Sequence, residues 1–107
     1  MFSRKRLKGE LVVPPEVTSD PKAVEIARVW AAHDVQHVSL NPTLWKDPFA
    51  WGIVLVDLAR HVANALEKLE GSSKREVLER IREGFDAEWS KPTDEATGYI
   101  IGGKGDA

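Results

Sequence analysis

The chain has 107 residues, 42% of them apolar and 30% charged, which is one small domain and excludes wholesale disorder and collagen-like structure. Its 15 Lys and Arg against 17 Asp and Glu leave a net charge of −2, without the basic excess usual in a nucleic-acid-binding domain. There is no Cys, so disulfides, thiolate metal sites, iron–sulfur ligation and a Cys nucleophile are excluded.

Charge is uneven along the chain. Arg4, Lys5, Arg6 and Lys8 stand in the first eight residues with no acid among them, so the remainder is acidic. Residues 1–10 read as a flexible basic arm: nothing aromatic interleaves the charges and no second basic patch supports them. Leu11-Val12-Val13, stopped by Pro14-Pro15, reads as a short extended segment that could form an edge strand. Ser19-Asp20-Pro21 reads as a helix start, and Ala23, Ile26, Ala27 and Trp30 recur at helical spacing up to about Ala32. His33-Asp34 marks the exit. Val35 to Leu40 then alternates, with Val38 and Leu40 on one side and His37 and Ser39 on the other, as in a half-buried strand ended by Asn41-Pro42-Thr43.

Asp47-Pro48 starts a second helix that runs to about Leu69. Its apolar residues fill an arc of roughly 200° at 100° per residue, wider than a one-sided surface helix needs. The first half should therefore be surrounded, by the core or by a second subunit, with Gly52 leaving room for a close neighbour. Gly71-Ser72-Ser73 breaks and recaps the chain. A third helix from Lys74 to Trp89 carries a narrow stripe of Val77, Leu78, Ile81, Phe85 and Trp89. Residues 95–107 form a Gly-rich tail in which Thr97 to Ile101 could make a last strand.

These elements predict an α+β domain over residues 11–94. Three helices would pack on one face of a small two- or three-stranded sheet, as a two-layer sandwich. So small a sheet leaves open edges, for which pairing with another copy is a common answer.

The polar side of the second helix is the candidate site. Asp57, Arg60, His61 and Asn64 lie close together around the axis, and Lys68 follows one turn on. A carboxylate four residues before an imidazole can orient it, and Asp57 can pair with Arg60. The expectation is a half-buried, mutually bonded network beside a helix or subunit boundary. Trp30, Trp51 and Trp89 read as core aromatics, whereas Asn41 and Trp45 lie in a loop that could close a core edge or offer a contact. His33, His37 and His61 lack the spacing and companions of a metal site, so none is expected. The Gly-rich tail lacks a phosphate-loop context, and no Ser elbow or kinase signature occurs; no cofactor is expected. No apolar run nears the length of a bilayer-spanning helix and no secretory core follows the N-terminus, so the expectation is a cytoplasmic protein that engages no membrane.

Three stretches of the chain carry a resemblance. Asp47-Pro48-Phe49-Ala50-Trp51-Gly52 with Leu55 to Ala63 resembles the central signature of the bacterial family known as domain of unknown function 5076. Phe85-Asp86-Ala87-Glu88-Trp89 with Pro92-Thr93, and Pro21 to Glu25, resemble its other signatures. The resemblance implies a short cytoplasmic bacterial protein and implies no activity, cofactor or substrate.

Together these readings favour a non-catalytic interaction or accessory protein that forms a homodimer and has room for a further protein partner. The alternatives are a small-molecule (anion) binder or weak enzyme using Asp57, Arg60 and His61, and a nucleic-acid accessory protein using the basic arm, the last disfavoured by the charge balance. Because a solvated arm buries little, deleting residues 1–8 should leave the thermal midpoint almost unchanged in a calorimetric scan; a fall of about 10 °C or more would show the arm to be packed.

Overall fold

The computed structural model describes residues 7–92 and the backbone of residues 98–100. Helix α1 (Pro15–Thr18) is one turn long and begins on Pro15, whose fixed φ suits a first helical position. Ser19 N–H donates to the Pro15 carbonyl and closes it. The segment Leu11-Val12-Val13 before it is exposed and forms no strand, contrary to the extended-edge expectation.

Asp20 does not start a helix. Its Oδ1 accepts from Lys22 N–H at 2.9 Å and its carbonyl accepts from Ala23 N–H, which is a turn. The chain then enters strand β1 (Ala27–Ala32), which pairs antiparallel with β2 (Val35–Leu40) over six residues. The helix expected to reach Ala32 is therefore replaced by a hairpin arm. The physical reason is in the residues: Ala27, Val29 and Ala31 also satisfy a period of two, and Val29 and Trp30 favour a pleated surface. His33 and Asp34, read above as a helix exit, are the two-residue hairpin loop, with φ of 54° and 63°. Positive φ at both positions is the loop geometry that matches strand twist.

The register places Ala27, Val29, Ala31, Val38 and Leu40 on one sheet face and Arg28, Trp30, His37 and Ser39 on the other. Strand β3 (Gly98–Ile100) pairs parallel with β2, giving the order β1-β2-β3. Thr97 and Ile101, expected in this strand, lie outside the described residues.

Helix α2 (Phe49–Glu70) starts where expected: Asp47 Oδ1 accepts from Phe49 N–H at 3.0 Å. It ends at Gly71, whose φ of 72° sends its N–H back to the Glu67 carbonyl at 2.9 Å. Helix α3 (Lys74–Ser90) opens on Ser73, whose hydroxyl accepts from Glu76 N–H. Arg75–Glu79 and Arg82–Asp86 pair along its length. Together α2 and α3 form the crossover that a parallel β2–β3 pair requires.

The α+β class stands, with three helices and a small sheet. The layer arrangement differs from the expected sandwich. Among the described residues α2 packs against α3 and strands pack against strands, while neither helix lies along the sheet. Trp51 joins the two parts, its indole N–H reaching the Pro42 carbonyl at 3.5 Å. The fold is accordingly extended, with a radius of gyration of 16.0 Å against about 13 Å for a compact chain of this length.

The expectation that no apolar run nears the length of a bilayer span also needs correction. Helix α2 is long and apolar enough, by length and composition alone, to cross a bilayer, with a mean hydropathy of 1.2 over 18 residues. Asp57 and Arg60 stand in its middle, where ionised side chains oppose insertion.

His33 and Asp34 occupy a loop that glycine and asparagine fill with less strain. Replacing the pair with Asn-Gly should stabilise the protein by about 0.5–1 kcal/mol in urea denaturation.

Candidate functional site

The helical geometry of α2 sets Asp57, Arg60, His61 and Asn64 on one side of the axis. Arg60 Nη1 lies 3.8 Å from Asp57 Oδ1, so this pair forms. The two side chains are 66% and 58% exposed, which corrects the expectation of a half-buried network within one chain. His61 and Asn64 are exposed and make no hydrogen bond or ion pair among the described residues. Asp57 turns to Arg60 at i+3 rather than to His61 at i+4, so no carboxylate orients the imidazole.

Asp57 and Arg60 stand on the rim of a groove of about 790 Å³ between the first half of α2 and the last turns of α3. Phe49, Ile53, Val56, Phe85 and Trp89 form its apolar wall. Trp89, expected in the core, is mostly exposed and stacks on Phe85 with ring centroids 5.6 Å apart. A Cβ on Gly52, at the groove floor, would meet nothing within 4 Å, so the close neighbour expected there does not come from the described part of this chain. The exposure of Trp89 was invisible in a helical stripe, because both periodicity and residue type matched a core.

Charge in the groove is already matched. Asp57 faces Arg60, and Asp86 accepts from Arg82 at 3.0 Å. Each guanidinium thus has a carboxylate beside it, which lowers the local attraction for an anion.

In the loop before α2, Trp45 packs edge-on against Trp51, with centroids 5.5 Å apart and planes at 78°. Asn41 N–H donates to the Ile26 carbonyl at 2.9 Å and extends the hairpin pairing by one bond. The structure therefore gives Asn41 a backbone role and Trp45 a place over the Trp51 ring. His37 Nε2 lies 3.1 Å from the Ala32 carbonyl, and no group of three or more His, Asp or Glu suited to a metal gathers among the described residues.

Fold and site define a small α+β domain whose parallel strand pair is bridged by a helical hairpin. The chain belongs to the family described as domain of unknown function (DUF5076), whose model matches residues 10–93. It is similar to a solved structure from the photosynthetic bacterium Rhodopseudomonas palustrus, described as that of a "putative pyruvate dehydrogenase". The two are 35% identical with a TM-score of 0.66, over 91% of this chain and 95% of that one. No curated protein matches the chain.

Exposed pairs contribute little because water screens them and ordering two long side chains offsets the attraction. Asp57→Asn and Arg60→Gln should each change stability by less than about 0.5 kcal/mol at a protein concentration low enough to keep the chain monomeric, with a double-mutant coupling of at most about 0.5 kcal/mol, as chemical denaturation would show.

Proposed function

We propose that this chain is a non-catalytic, cytoplasmic accessory protein that works as a homodimer. The observation that carries this reading is the apolar surface left uncovered on α2. Leu55, Leu58, Val62 and Leu69 are exposed along it, and Ala63 is the one fully buried apolar residue among those described. Soluble monomers seldom leave so large a contiguous apolar patch to water.

The polar residues support the same reading from the other side. Asp57 and Arg60 are exposed and lie beside each other, and among the described residues neither contacts His61 or a nucleophile. Oxidative decarboxylation of a 2-oxo acid, the chemistry named for the Rhodopseudomonas structure, needs an electron sink and a site shielded from water. The α2–α3 groove is open along its length and its polar groups lie at the rim, so the interaction reading is preferred for this chain.

At micromolar concentration, light scattering should return about twice the 11.9 kDa chain mass. A value of one chain mass throughout a hundredfold dilution series from tens of micromolar would overturn the proposal.

A further inference from the structure

Helix α2 carries two apolar seams, and the described residues supply a packed neighbour for one of them. The first faces α3: Ala63 is 1% exposed, and Ala59 lies with Leu78 and Ile81 across the helix pair. The second is rotated by about 100° around the axis. It consists of Trp51, Leu55, Leu58, Val62, Ala65 and Leu69, alternating four- and three-residue steps along nearly the whole helix. That spacing is the repeat by which one helix packs along another. Trp51 is half-covered by Trp45, and one edge of Leu55 lines the cleft with Leu78 and Ile81 of α3; the rest of the seam is open, Leu55 being 49% exposed, Leu58 55%, Val62 47% and Leu69 81%.

We infer that α2 packs antiparallel along α2 of a second copy through this seam, placing α3, α2 and their two counterparts in a four-helix layer. The inference rests on the proposed self-association and specifies its geometry. Three observations carry it. The step pattern reads the same in both directions, so in antiparallel register Trp51 meets Leu69 of the other copy, Leu55 meets Ala65 and Leu58 meets Val62. The large Leu55 thus faces the small Ala65, as interlocking layers require. Second, the seam carries no charge, while Asp57 and Arg60 lie on the far side and remain in water. Third, the seam runs nearly the whole of the 22-residue helix, about 33 Å, with Leu55, Leu58, Val62 and Leu69 open to a partner; a stable pair needs about 800 Å² from each partner, which the seam and its flanking residues would supply together. Both partners present the same patch, so the contact closes at two copies.

The native chain has no Cys, so introduced thiols report geometry without background. In the full-length protein, Leu55→Cys alone, Ala65→Cys alone and the double variant should each keep the wild-type circular dichroism spectrum. Under mild oxidation the double variant should run as a cross-linked dimer on a non-reducing gel. Each single variant should cross-link at least tenfold more slowly, because its two thiols would sit about ten residues, or 15 Å, apart along the antiparallel pair, beyond disulfide reach. Rapid cross-linking of Leu55→Cys alone would mean a parallel pair and would overturn the inference. A dimer in which the double variant does not cross-link would place the contact elsewhere, overturning this geometry while leaving self-association intact. A monomer throughout the dilution series would remove self-association itself. A monomer that floats with phosphatidylcholine–phosphatidylglycerol vesicles would assign the seam to lipid and overturn the inference.

Discussion

The structure depends on a mismatch between the apolar circumference of α2 and the neighbours one chain provides. A helix with a single apolar stripe is satisfied by one packed surface. Helix α2 spreads apolar side chains over more than half of its circumference, and α3 covers the part that contains Ala59, Ala63 and Leu66. The loop before α2 covers part of its first turns through Trp45. What remains is an uninterrupted apolar face in a domain with little else buried. Burial of apolar area is the main favourable term in folding, opposed by chain entropy of similar size. A chain that buries so little alone gains most from association.

The same mismatch explains the separation of sheet and helices. The hairpin satisfies its own backbone through six paired residues and a two-residue loop, without any helix across its face. Its connection to the helical part is aromatic and local, through Trp51, Trp45 and the Pro42 carbonyl. In chain order β2, α2, α3 and β3, the two helices connect the parallel strands. Trp51 thereby has two duties: it anchors the strand layer and forms one end of the uncovered seam.

How much of this was legible in the sequence follows from how many signals agreed locally. Helices α2 and α3 were readable because start, periodicity and stop all pointed the same way: Asp47-Pro48 and Gly71 for one, Ser73 with Glu76 for the other. Residues 21–32 misled because Ala23, Ile26, Ala27 and Trp30 match a helical stripe while Ala27, Val29 and Ala31 match a strand, and long-range pairing with β2 decided between them. The hairpin loop went unread because His33-Asp34 lacks the glycine that usually announces positive φ. At the site, the Asp57–Arg60 pairing was legible from spacing, and its exposure was not. Exposure is a property of what covers a helix, and Trp89 shows the same limit, an aromatic on an inner stripe that the chain leaves open.

The position of the charges on α2 also separates two explanations of its composition. By length and hydropathy the helix resembles a bilayer span. In hydrocarbon, Asp57 and Arg60 at mid-helix would each oppose insertion by about 2.5–3.5 kcal/mol. Taken around the axis as far as Leu66, however, the polar residues Asp57, Arg60, His61 and Asn64 gather within one sector, α3 covers a second, and the uncovered seam lies in a third, roughly 130° from the polar centre; Glu67, Lys68 and Glu70 follow in the last turn. A helix shaped for lipid has no use for a narrow polar sector of ionised residues beside two separate apolar seams. A helix held between two others, with one strip facing water, needs that division. Up to Leu66, high hydropathy with both charges in one sector fits a helix packed on two sides better than a helix surrounded by lipid.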